Sequence, residues 1–180
     1  MRILAISGSL RAASTNTALL RAAARLAPAG VEIDLYEGLG GLPHFNPDLE
    51  GAEPPAVTAL RAQVREAGAL LFAVPEYAHG VPGALKNLLD WLVGGEEFIY
   101  KPAALLNASP RATHAQASLR ETVKTMSGRI VEEASIAVPL LGKTLDADAI
   151  AADPELSAPL RRALAELARA AESLPGLDLG

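Results

Sequence analysis

Cysteine is absent from the 180 residues. That one absence excludes disulfides, thiol catalysis and thiolate metal sites. Histidine is scarce: His44, His79 and His114 stand far apart and none falls in an H-x-x-x-H spacing, so no metal site is expected. One Trp, three Tyr and three Phe leave little with which to stack nucleobases. The net charge of −5 contains no block of Lys or Arg, which makes nucleic acid a poor partner. Half the residues are hydrophobic, yet much of that is alanine, and no window reaches the ~18 uninterrupted apolar residues of a membrane span. The chain enters a strand pattern by Arg2 with no secretory leader pattern, and a cytoplasmic protein is expected. No Gly-Lys-Ser/Thr follows the turn after the first strand, and G-x-G-x-x-G and G-x-S-x-G are missing, so neither a nucleoside triphosphatase nor a serine hydrolase is indicated.

What is present alternates strand and helix, the order of a parallel sheet covered on both faces. Strands are expected at Arg2–Ile6, Val31–Tyr36, Ala69–Val74, Ala103–Asn107 and Glu133–Val138. Helices are expected at Thr15–Leu26, Ala56–Ala67, Gly83–Val93 and His114–Met126. A last helix opens at Asp153-Pro154 and carries a stripe of Leu156, Leu160, Leu164, Leu167, Ala171 and Leu174. The third helix has its own stripe at Leu85, Leu88, Leu89 and Leu92. Residues Glu37 to Pro55 form a loop long enough to suggest a functional or interface role. These units fit one α/β domain over 1–180: a flavodoxin-like three-layer sandwich with a five-stranded parallel sheet of order 2-1-3-4-5. Such sheets bind ligands beyond the carboxyl ends of their strands, at the switch point between strands 1 and 3.

Two loops stand there. The first, after strand 1, reads GSLRAASTN and opens a helix. Ser9, Ser14, Thr15 and Thr17 supply hydroxyls, Asn16 an amide, and Arg11 a charge with two parallel donors. With the helix N-terminus below them, they suit a phosphate. The second, after strand 3, reads PEYAHGVPGALKNLLDWL. Pro75 ends the strand, and Gly80, Pro82 and Gly83 shape a rigid turn that leaves Glu76, Tyr77 and His79 projecting. Backbone groups in such a turn can meet the heteroatom edge of a planar ring.

Together the loops resemble the NADPH-dependent FMN reductase family, with its related quinone, azo-dye and chromate reductases. Gly8, Ser9, Arg11, Ser14 and Asn16 meet the pattern G-S-x-R-x-x-S-x-N in full. Pro75, Glu76, Tyr77, Pro82, Gly83, Leu85, Lys86, Asn87, Asp90 and Trp91 meet P-E-Y-N-x-S-x-P-G-x-L-K-N-x-x-D-W except where Ala78 and Gly80 replace Asn and Ser. The likeness runs from residue 2 to about 140 and touches Leu42-Pro43 and Asn46-Pro47-Asp48. After strand 4 the family's glycine-rich loop is replaced by NASPRATHAQASLR, in which Pro110 would stiffen the turn and Arg111 would reach the flavin or the reductant.

The resemblance implies FMN as cofactor and NADPH or NADH as reductant. Ser9, Arg11, Ser14, Thr15, Asn16 and Thr17 would hold the phosphate, and Pro75, Glu76, Tyr77 and Ala78 would lie along the ring. Hydride would pass to the flavin and on to a small-molecule acceptor such as a quinone, azo compound, metal oxyanion or free flavin. No side chain need act as acid, base or nucleophile. A homodimer or homotetramer is also implied. Two other functions stay open: a flavodoxin-type electron carrier, and a flavodoxin-like binding protein that has lost flavin. Glu76 reads either as a general base or as a solvated residue whose backbone meets flavin. His79 reads as a partner for a hydride acceptor or as a loop residue packed at a subunit boundary. Lys86 and Asp90 read as a surface ion pair, and Trp91 as core or interface.

Overall fold

The computed structural model describes residues 1–173, so Leu174, the last member of the expected stripe, lies outside the described residues. In chain order the elements are β1 (Arg2–Ser7), α1 (Thr15–Arg25), β2 (Glu32–Leu35), α2 (Pro55–Glu66) and β3 (Ala69–Ala73). They continue with α3 (Gly83–Val93), β4 (Pro102–Leu106), α4 (Thr113–Thr125), β5 (Arg129–Ile130), α5 (Ala147–Ala152) and α6 (Pro154–Glu172). All five strands are parallel, in the order β2-β1-β3-β4-β5. The expected sheet order is therefore the observed one.

Because a strand's side chains alternate, the buried strands feed two cores. Ile3, Ala5, Ala69, Leu71, Ala73, Ala104 and Leu106 face one side and pack with α1, α5 and α6. Leu4, Ile6, Leu70, Phe72, Val74 and Leu105 face the other and pack with α2, α3 and α4. The alanines on the first face let helices sit close to the sheet, and Leu156, Leu160, Leu164 and Leu167 of α6 fill that layer. Each fully buried leucine contributes about 1.5–3 kcal/mol relative to exposure.

The α3 stripe of Leu85, Leu88, Leu89 and Leu92 is spent on this chain's own second core, as is Trp91. Asn87 and Trp91 also pin the long loop. Asn87 Nδ2 and Trp91 Nε1 both donate to Pro43 O, at 2.9 and 2.8 Å, and Asn87 Oδ1 accepts from Phe45 N at 2.7 Å. The Phe45 ring meets Trp91 edge-on at 5.1 Å. Two 3-10 turns, Leu39–Gly41 and Pro47–Leu49, break the loop up further.

The expected fifth strand is displaced. Pairing with β4 occurs at Arg129–Ile130, and Glu132–Ala134 forms a 3-10 turn. Ser135 explains the interruption: its Oγ accepts from Leu105 N at 3.1 Å and donates to Val131 O at 2.9 Å. A side chain thus takes the ladder position that backbone would fill. Beyond it, the chain rejoins the end of β4 through Asn107 N to Ile136 O and Val138 N to Asn107 O, at 2.9 and 2.8 Å. Helix α5 was not expected from the sequence. It has six residues and is capped by Asp146, whose Oδ1 accepts from Ala149 N at 2.8 Å.

Candidate functional site

Loops from β1, β3 and β4 meet at the carboxyl edge of the sheet. Gly8 allows the first two to approach, since a Cβ there would stand 3.0 Å from Val74 Cγ1. Ser14 is the N-cap of α1: its side chain accepts from Thr17 N at 3.3 Å. The preceding amides, of Thr15 and Asn16, lie in the first turn, where no intrahelical acceptor exists. No acidic residue occupies that turn to oppose an anion.

The expected residues divide into three groups. Arg11, Ser14 and Thr15 border a groove of about 540 Å³, together with Arg21, Arg25 and Lys143 and the carboxylates of Asp146 and Asp148, the last paired with Arg25. Thr15, Asn16, Pro75 and Glu76 line an adjoining cleft of about 370 Å³, whose remaining walls are Val74, Ala108–Ala112 without Pro110, and Leu140–Lys143. Ser9, Thr17, Tyr77 and Ala78 line neither. Ser9 Oγ accepts from Arg11 N at 3.3 Å and shapes the turn. Thr17 Oγ1 bonds Ser7 Oγ at 2.8 Å and ties α1 to the end of β1.

Tyr77 and Ala78 stand in a two-residue hairpin closed by Tyr77 N to Gly80 O and Gly80 N to Tyr77 O, at 3.2 and 3.0 Å. Its central residues, Ala78 and His79, have φ of 49° and 58°. That left-handed pair is what such a turn demands, although without glycine each residue costs about 1–2 kcal/mol.

Two contacts hold the hairpin against α4. Glu76 Oε2 accepts from Ala115 N at 2.9 Å, so its carboxylate caps a helix that has no cap of its own. His79 stacks on His114 with ring centroids 4.3 Å apart and planes 17° from parallel. The Glu76 carboxylate is therefore engaged rather than freely solvated, and exposed His79 rests on the first turn of α4. Lys86 and Asp90 form the expected ion pair within α3. Among the described residues no group of three His, Asp or Glu could hold a metal ion.

The wall at Leu140–Lys143 escaped the sequence reading, because it carries no motif and reaches the cleft only through the displaced chain after β5. Asn16 supplies the sharpest test of what the cleft can take. Its Oδ1 is buried and has no hydrogen-bond partner, a cost of about 1–3 kcal/mol unless a donor arrives. A phosphorylated ligand bearing hydroxyls and an N–H edge fits that donor need, the free helix amides and Arg11 together.

A family model for NADPH-dependent FMN reductase matches residues 1–140. The chain belongs to the NADPH-dependent FMN reductase family. An NAD(P)H-dependent FMN reductase of Pseudomonas aeruginosa is 44% identical over 129 residues, spanning 68% of this chain and 69% of that protein. A probable NADPH:quinone oxidoreductase of Oryza sativa is 45% identical over 115 residues, 60% of this chain and 58% of its own. A quinone reductase of Escherichia coli K12 is 35% identical over 94 residues, half of its length (50%) and 51% of this chain. Among solved structures, FerB of Paracoccus denitrificans, a flavoenzyme NAD(P)H:(acceptor) oxidoreductase, superposes with a TM-score of 0.78 at 28% identity, covering 95% of this chain and 97% of FerB. Membership makes the chain an oxidoreductase of a flavin- and NAD(P)H-dependent family with the flavodoxin-like fold.

Proposed function

We propose that this member is an NAD(P)H-dependent FMN oxidoreductase that reduces a small acceptor, a quinone, azo compound, metal oxyanion or free flavin. The observation that carries this is the cleft at the switch point, where an unpartnered buried Asn16 Oδ1 adjoins the uncapped amides of α1 and Arg11. Arg11, Ser14, Thr15 and Asn16 would hold the FMN phosphate and the tail next to it, with Ser9 shaping the turn and Thr17 fixing the helix to β1. Pro75, Glu76, Tyr77 and Ala78 would border the ring through backbone atoms. FMN, when bound, supplies the hydride and electron chemistry, and the polypeptide supplies position and field.

The residues' own work is to bind, orient and exclude water. Glu76 holds the ring-side hairpin on α4, and Arg11 neutralises phosphate charge. Glu76, the carboxylate that lines the cleft, is engaged by Ala115 N, and its work there is positional. The unit working in the cell would be a single domain over 1–180 in the cytoplasm, as a homodimer or homotetramer. Exposed Tyr77, Val93 and Tyr100 are apolar surface available for that assembly, and light scattering of the purified protein reads it directly. Among the described residues no helix is long and apolar enough to cross a membrane.

The visible spectrum with and without added FMN, followed by anaerobic NADPH, tests the function. A bound flavin that bleaches on adding NADPH is expected. Bound flavin inert to both NADPH and NADH would instead identify an electron carrier, and failure to bind FMN would remove the enzymatic reading.

A further inference from the structure

The loop after β4 repeats a device used by the loop after β1. In the first, Ser9 Oγ accepts from the backbone N–H of Arg11; in the second, Ser109 Oγ accepts from the backbone N–H of Arg111, both at 3.3 Å. Each turn leaves its arginine exposed on a cleft wall, Arg11 on the groove beside α1 and Arg111 on the 370 Å³ cleft. The second turn is also anchored. Asn107 Oδ1 accepts from Ser109 N at 3.0 Å, Asn107 is itself paired on both sides of Ala137, and Pro110 fixes one φ between Ser109 and Arg111. Such a turn fixes the backbone from which the cation projects, so binding has only the side chain's own rotamers to order.

Lys143 lines the same cleft as Arg111. Among the described residues neither Arg111 nor Lys143 takes part in an ion pair. The carboxylate lining this cleft, Glu76, is committed to Ala115 N. An acidic chain of net charge −5 therefore keeps two uncompensated cations around one opening.

We propose that Arg111, with Lys143, is an anion-recognising pair that selects co-substrates carrying a phosphate, sulfonate or carboxylate. The proposal rests on reading the cleft as the flavin-ring site, over which reductant and acceptor must each pass. The anionic group belongs either to the dinucleotide or to an acidic acceptor, and kinetics separate these two sources. The shared chemistry is a two-donor grip on an oxyanion, worth roughly a factor of ten.

The test measures kcat/KM of wild type, Arg111→Ala, Arg111→Lys and Lys143→Ala for NADPH, for anthraquinone-2-sulfonate and for uncharged menadione. Arg111→Ala is expected to lower the value for NADPH or for the sulfonate about tenfold relative to menadione, and the affected substrate names the source of the anion. Arg111→Lys should recover part of the loss, and 0.5 M salt should shrink the difference. An equal loss on all three substrates overturns the proposal, and so does no loss. Faster FMN release from Arg111→Ala overturns it too, because the arginine would then be holding FMN itself. Should the wild type bind no FMN and oxidise no NADPH, the flavin reading falls separately. Calorimetric binding of anthraquinone-2-sulfonate then decides the anion pair: tighter binding to wild type than to Arg111→Ala supports it, and equal or absent binding overturns it.

Discussion

Ala78 occupies a backbone conformation that its side chain does nothing to favour. At φ 49° in a turn whose centre wants Asn or Gly, it sits where the family pattern has Asn. Ala78→Asn is expected to stabilise the fold by about 0.5–1 kcal/mol, seen as a rise in Tm of about 2 °C. Tyr36 offers a residue-scale test against pH. Burial pushes its phenol above the ordinary value of 10.0. The unfolded chain ionises that phenol near 10 while the folded chain keeps it neutral, so the folded state loses relative stability as pH rises past 10. Lys101 works in the opposite sense, since burial lowers its pKa and its unfolded form binds the extra proton. Comparing Tm of wild type and Tyr36→Phe between pH 8 and 11 isolates the phenol, and the variant should lose less stability over that range.

Among the elements, α4 depends on another loop for its start. Ala112 stands at its N-cap without a capping side chain, and the missing acceptor comes from Glu76, 39 positions before the Ala115 amide it serves. Glu76→Ala is expected to cost about 1 kcal/mol and to speed hydrogen exchange at the Ala115 amide about tenfold. Glu76→Gln, which retains an acceptor oxygen, should lie between it and wild type. The strands and the long helices were legible from apolar runs and stripes, and Asp153-Pro154 announced the start of α6. The fifth strand was not. Its apolar run Ala134 to Val138 carries strand chemistry, but Ser135 bonds into the ladder from its side chain and moves the pairing to Arg129–Ile130. Helix α5 is too short for periodicity to reveal.

The whole molecule is layered by side-chain size. Ala5, Ala69, Ala73 and Ala104 face α1 and α6, whereas Leu4, Leu70 and Phe72 face α2, α3 and α4. Ala104→Leu would drive a larger side chain under the closely seated helices. A loss of about 1–3 kcal/mol is expected by denaturant unfolding, with a loosened α6 detected by hydrogen exchange.

At this scale the sequence alone pointed to the two motif loops and the family, because small turn residues and hydroxyl spacing are local properties, and to the sheet order, because strands alternating with crossover helices admit few parallel topologies. It also placed Arg11, Ser14 and Asn16 at one loop. Tertiary structure decided what the remaining groups do: that Glu76 caps α4, that His79 stacks on His114, and that Leu140–Lys143 closes the cleft. Those pairings join segments tens of residues apart, and their partners are chosen by chain path and packing rather than by any spacing written along the chain.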